Sequence, residues 1–248
     1  MTEEPEARGR VPSIWMRPER SARGPAPEHS RAEIASAAVA LADAEGLAAV
    51  TMRALAAAVG TAPASLYRYV TTRDELLELM ADQVSGEFSY DGPGRGDPVA
   101  DLLALAHQAL NIYRTHPWLM SIPPTAGLPG PNALAYIEHA LAVLAGTGLR
   151  GPVKLEVISL FTAAVRSFAQ MEIDERRAGR NAAQWEYSVA AYLVQIATAG
   201  QHPHLAAAVA DQPAAGEPAP SEPLFDRAIS RILTGLLPPA GPQEPAAG

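Results

Sequence analysis

The sequence predicts an all-α protein, with an N-terminal three-helix helix-turn-helix domain followed by a C-terminal helical bundle. Three observations carry that expectation. Apolar residues recur with a period of about 3.6 wherever a period is readable, and no segment alternates strictly over more than a few positions. Proline and glycine collect between the periodic stretches rather than inside them.

The first helix starts at Ser30, whose hydroxyl can cap free amides while Glu33 reaches back, a capping box. Its apolar face runs through Ile34, Ala38 and Leu41, and Gly46 is read as a left-handed stop. A short second helix is capped by Thr51, carries Met52, Leu55 and Val59 on one face, and ends at Gly60. Pro63 sits in the first turn of a third helix, where its missing N–H costs nothing, and that helix carries Leu66, Tyr67 and Val70. A fourth begins at Thr72, with Glu75 three residues on, and buries Leu76, Leu77, Met80 and Val84. Longer helices follow at Pro98 to Thr115, Pro131 to Ala145, Pro152 to Ala178, Ala182 to Ala199 and Pro223 to Leu237, with a short one from His204 to Ala210.

Prolines divide the chain. Residues 1–28 read as an arm without regular structure, bearing Arg17, Arg20 and Arg23; 29–90 as the three-helix unit and its brace; 97–237 as the second domain; 238–248 as a disordered tail. The turn-rich stretch from Tyr90 to Pro98 marks the boundary.

Charge follows the same division. The net charge is −8, yet Arg8 to Arg73 holds nine arginines against five acids, and the chain beyond it is acidic. A basic module facing a polyanion, joined to an acidic partner domain, fits this asymmetry. With no cysteine, disulfides, thiolate metal sites and cysteine nucleophiles are excluded. No apolar run reaches the roughly 18–20 residues that span a bilayer, so no membrane association is expected and the location expected is cytoplasmic.

Thr51 to Gly60 and Thr61 to Val70 form two short helices around a glycine turn, and small residues at Ala56, Ala57 and Ala64 let them pack closely. In such units the start of the second helix enters the major groove of DNA. Thr61, Ala62, Pro63, Ala64 and Ser65 are therefore assigned to the base-facing end, with Arg53 as a reader of guanine. Thr51, Tyr67, Tyr69 and Arg73 are assigned to phosphates, and Arg68 either joins them or is a plain surface charge. Tyr67 and Tyr69 lie two apart and cannot share one helical face, so one ring is open to a place in the core while both hydroxyls are expected at solvent or phosphate.

Gly46-Leu47, Thr51-Met52-Arg53-Ala54-Leu55-Ala56, Gly60, Ser65 to Val70 and Arg73-Asp74-Glu75-Leu76-Leu77 together resemble the TetR family of bacterial repressors, over about Ser30 to Asp82. The resemblance implies a homodimer that binds double-stranded operator DNA, usually as a repressor, and whose ligand changes the separation of two reading heads. Beyond Asp82 it is only architectural.

In the second domain, His107, Tyr113, His116, Trp118, Tyr136, His139, Phe161, Arg166, Phe168 and Trp185 are candidates to line a cavity for a small lipophilic effector, with core packing as each residue's alternative. Arg166, a charge amid Phe161, Val165 and Phe168, would need an acid partner or an anionic ligand if buried. The last helix has a wide apolar stripe, Phe225, Ile229, Ile232, Leu233 and Leu236, which is expected to be covered by a second subunit. No catalytic constellation, cofactor motif or metal-ligand spacing is visible. A helical small-molecule-binding protein or enzyme without DNA affinity, or an acidic adaptor, are the rival readings.

Overall fold

Ser30 opens the first helix as its sequence dictates: its Oγ accepts the Glu33 amide at 3.1 Å, and the Glu33 carboxylate accepts the Ser30 amide at 2.7 Å. These bonds hold the Glu33 carboxyl below its usual range. The computed structural model describes residues 13–18, 29–90, 96–123, 127–179, 182–210 and 223–238, with side chains of the eighth helix described from Tyr187 onward. Helix α1 (Arg31–Glu45) leads through a 3-10 turn (Leu47–Ala49) into α2 (Met52–Val59), α3 (Pro63–Leu66) and α4 (Arg73–Ser85). Then come α5 (Pro98–Thr115), a 3-10 turn (Pro117–Ser121), α6 (Pro131–Val143), α7 (Gly151–Arg177), α8 (Ala182–Thr198), α9 (Pro203–Ala210) and α10 (Leu224–Leu236). No strand occurs among the described residues. No described helix is long and apolar enough to cross a membrane.

Local departures have local causes. Gly46 takes φ 84° with ψ 162°, so it needs glycine, but it is not the left-handed helical stop; Gly60, at φ 76° and ψ 27°, is. Helix α3 has four residues, and the chain winds on to Val70 as a turn in which Leu66 O accepts the Tyr69 and Val70 amides at 2.9 and 3.0 Å. Thr72 caps α4 through the Glu75 amide at 3.1 Å, but the Glu75 side chain goes to Thr71, so the second capping box is only half made.

Two cores result. The first gathers Ile34, Ala38, Leu55, Leu66, Met80 and Val84, and runs on into Ile112, Trp118, Leu119 and Ile122 at the end of α5 and the turn after it. The second is built from α5, α6, α7 and α10 around Leu102, Leu105, Phe161, Val165, Ile229 and Leu233.

The expectation that the stripe on α10 waits for a second subunit is corrected for three of its five residues. Phe225 is 9% exposed and Ile229 and Leu233 are 0% exposed within the single chain, because α5 and α7 flank them. Phe168 packs edge-on against Phe225 at 5.4 Å. Ile232 and Leu236 stay half-buried.

The arm is corrected as well. A 3-10 turn (Ile14–Met16) docks on the first core with Ile14 at 0% exposure. Arg31 Nη1 donates to the carbonyls of Ile14 and Arg17 at 2.8 and 2.9 Å. Arg17 is not a free DNA contact: its Nη2 lies 2.7 Å from Glu75 Oε1, an ion pair not aligned as a hydrogen bond. Arg20, Arg23 and the segment 239–248 lie outside the described residues.

Candidate nucleic-acid interface and effector cavity

The caps that start α2 and α3 also set out the reading edge. Thr51 Oγ1 accepts the Ala54 amide at 3.1 Å and Thr51 itself is exposed. Ala62 precedes α3, with Pro63 at its first position. Arg53, Ala62, Pro63, Ala64, Arg68 and Tyr67 stand exposed, Tyr67 at 53%, while Thr61 and Ser65 are half-buried beside them. One edge of the head thus joins two arginines, a phenol, two hydroxyls and a short apolar ridge, a set able to meet base edges and phosphates together.

Tyr69 and Arg73 depart from that edge. Tyr69 is 6% exposed, its ring lies in the core, and its hydroxyl accepts the His29 amide at 3.3 Å. Arg73 Nη1 and Nη2 donate to the carbonyls of Val50 and Leu47 at 3.0 and 3.2 Å, which clamps the loop carrying Thr51 onto α4. Glu75 Oε2 secures the other flank by accepting the amide and hydroxyl of Thr71 at 2.7 and 2.8 Å. Burial pushes the Glu75 carboxyl up, but the Thr71 bonds and Arg17 outweigh it and hold it below its usual range.

Helix α4 has a second face. Its buried Leu76, Leu79, Met80 and Val84 belong to the first core, while Leu77, Glu78, Ala81, Asp82 and Ser85 line a cavity of about 320 Å³ bounded also by α5, α6, α7, the turn after α5 and residues 127–130. Of the expected lining residues, Tyr113, Tyr136 and Arg166 are there. Tyr136 Oη lies 3.2 Å from Thr162 Oγ1, and burial pushes its hydroxyl up to about 12. Burial also raises Tyr113.

Arg166 meets neither an acid nor an exposed surface. Its Nη2 donates to the carbonyls of Leu119, Met120 and Ile122 at 3.3, 3.0 and 2.9 Å, the carbonyls at the end of a 3-10 turn, where a cation is favoured.

The other expected lining residues are used elsewhere, and they are corrected. Trp118 Nε1 donates to Asp43 Oδ1 at 2.7 Å, the same oxygen that His116 Nδ1 faces at 2.7 Å, while His116 Nε2 lies 3.0 Å from Glu87. His107 Nε2 lies 3.1 Å from Asp226 Oδ1, His139 packs on the Tyr90 ring at 4.8 Å, and the Trp185 side chain lies outside those described. Phe161 is fully buried in the second core, and Phe168 covers Phe225.

Sequence reasoning missed Glu78, Asp82, Phe88 and Thr162 in the lining. The available signal was the pair of acids at i and i+4 on the inward side of a brace helix. Asp82 Oδ1 accepts the amides of Asn132 and Ala133, both at 3.0 Å, so a carboxylate on α4 caps α6. Gly130 lets it approach: a Cβ there would fall 2.4 Å from Asp82 Cγ and 2.5 Å from Trp15 Cζ2. Burial raises the Asp82 carboxyl despite those bonds. Burial, together with the charges of Glu75 and Asp74, raises Glu78. Among the described residues no group of acids and histidines is poised to hold a metal.

Comparison with known proteins agrees with this geometry. Residues 34–80 match the model of bacterial regulatory proteins of the tetR family, and residues 92–238 match that of the tetracyclin repressor-like C-terminal domain. The HTH-type transcriptional repressor DrrR1 of Streptomyces coeruleorubidus is 33% identical over 228 residues, covering 90% of this chain and 83% of its own. An HTH-type transcriptional regulator of Saccharopolyspora erythraea is 31% identical, covering 92% of this chain and 93% of its own. The crystal structure of the Streptomyces coelicolor TetR family protein ActR in complex with actinorhodin superposes with a TM-score of 0.67 at 27% identity, covering 84% of this chain and 96% of that one.

Proposed function

Because the chain belongs to the TetR family of transcriptional regulators, DNA-binding proteins and not enzymes, we propose that it is a homodimeric repressor that holds a palindromic operator and releases it when a small lipophilic effector fills the cavity under α4. Residues 29–90 are then the reading head and 97–237 the effector-binding and dimerising domain, working in the cytoplasm with the DNA. The observation that carries this reading is the double duty of α4. One face is head core and the other is cavity wall, so a ligand that displaces the wall displaces the head. A relative crystallised with actinorhodin supports a small-molecule effector.

The base-facing group is Arg53 with Thr61, Ala62, Pro63, Ala64 and Ser65; Thr51, Tyr67 and Arg68 hold phosphates, and Arg73 positions Thr51. The dimer surface moves away from the buried stripe of α10. Leu155, Leu160 and Met171 on α7 stand 49%, 54% and 52% exposed, and with Ile232 and Leu236 they supply apolar area for a second subunit. Footprinting on the DNA upstream of its own gene tests the proposal: protection of two half-sites centred about one helical turn apart or slightly more supports it. Protection of a single half-site, or of none at low ionic strength, overturns it.

A further inference from the structure

Three formal charges line the cavity, and only at Glu78 is a buried oxygen left without a hydrogen bond. Asp82 is occupied by the first amides of α6 and by Asn132 Nδ2. Arg166 is occupied by three carbonyls. Glu78 has no ion-pair partner among the described residues, and its Oε2 is shut off from water without a hydrogen bond. The indole N–H of Trp15, close enough to favour the charge slightly, is directed to the Leu128 carbonyl at 3.1 Å. A carboxylate oxygen withheld from water without a donor is costly, and such groups persist where a ligand completes them. Glu75 and Asp74 on the same helix deepen the negative potential at this end of the cavity. Three aromatic rings stand in an otherwise largely aliphatic lining: Phe88 and Tyr136 lie 4.7 Å apart between ring centres, and Tyr113 sits under the Arg166 guanidinium at 6.0 Å.

Resting on the effector-cavity reading above, we propose that the cavity selects a planar aromatic cation, with the ligand's protonated amine at Glu78 and its rings against Phe88, Tyr113 and Tyr136. An anion meets only the Arg166 guanidinium, whose Nη2 is already shared among three carbonyls. A neutral ring system of the same size gains the apolar contacts but not the charge.

The test uses the full chain without DNA and three tricyclic probes followed by fluorescence: proflavine, a cation at neutral pH; acridone, neutral; and anthraquinone-2-sulfonate, an anion. Proflavine is expected to bind about ten-fold tighter than acridone, since a charge-assisted bond is worth about that. The sulfonate is expected to be the weakest. Glu78→Gln keeps the shape and should erase the preference while leaving acridone unchanged; Glu45→Gln, on the exposed end of α1, should change nothing and so controls for dye on the acidic surface. Equal binding of proflavine and acridone, or a proflavine affinity untouched by Glu78→Gln, overturns the cation preference and leaves the effector reading standing. Failure of all three probes to bind also overturns it, whereas the repressor reading falls only by the DNA footprint.

Discussion

Asp82 and Asn132, fifty residues apart in sequence, are joined three times: Asp82 Oδ1 accepts the Asn132 amide at 3.0 Å, and Asn132 Nδ2 donates to the Asp82 carbonyl at 3.0 Å and to its Oδ2 at 3.2 Å. The helix that braces the reading head therefore also caps the helix that opens the far wall of the cavity. Asp82→Ala should cost about 1–2 kcal/mol, as loss of a helix cap does. Melting followed by circular dichroism should show a fall of about 2–8 °C for a domain of this size. An unchanged midpoint would mean that α6 does not depend on α4.

The docked N-terminal turn makes a sharper prediction. A fully buried isoleucine truncated to alanine costs about 2–4 kcal/mol, so Ile14→Ala should unfold at markedly lower denaturant concentration with an unchanged slope. An arm free in solution would tolerate the change. Arg17→Ala should cost less, because the pair it makes with Glu75 is partly exposed.

Two groups of carboxylates pull stability in opposite directions with pH. Arg114 forms a two-pronged bridge to Glu172, both distances 2.7 Å, and that bond holds the Glu172 carboxyl below its usual range. A depressed carboxyl stabilises the fold above its unfolded value, and the gain is lost as pH falls through the folded value. Glu78 is raised, chiefly by burial, so the folded state binds its proton more readily and its charge is a burden at neutral pH. Glu78→Gln should accordingly raise the melting midpoint at neutral pH by about 1–3 °C, and by less once the pH is below the carboxylate range. A fall in the midpoint at neutral pH would show that the charge has a partner.

Arg73 separates positioning from phosphate contact. A side chain that only holds a phosphate, once removed, lowers affinity for every duplex and reduces the salt slope by about one, with stability unchanged. Because Arg73 fastens the carbonyls of Leu47 and Val50, Arg73→Ala should also lower stability by about 1–2 kcal/mol in urea. Retained stability with reduced affinity would return it to the phosphate group.

What could be read from sequence was local. Ser30 with Glu33, Thr51, Gly60 and Pro63 act within one helical turn of themselves, and their consequences were legible because capping and φ preferences need no tertiary context. What failed depended on neighbours outside the motif being read. Thr72 found Glu75's amide, but Glu75's carboxylate was drawn to Thr71 and faces Arg17, a residue of the N-terminal turn. Trp118 was an aromatic near a cavity until Asp43, seventy-five residues earlier, took its N–H. The α10 stripe had the width of an interface because it meets two helices of its own chain at once, and periodicity does not say which neighbours cover a face. Glu78 and Asp82 are spaced to share one face of α4, but the spacing alone does not say that the face borders a cavity.

The central claim is that the exposed edge from Arg53 to Arg68 grips duplex DNA in pairs. Fluorescence anisotropy of a labelled duplex from the upstream region, titrated with this protein and with Tyr67→Ala and Arg53→Ala, addresses it most directly. Two subunits should bind per duplex, and each variant should lose about ten-fold or more in affinity at unchanged helicity. Affinity unaffected by both substitutions would contradict it.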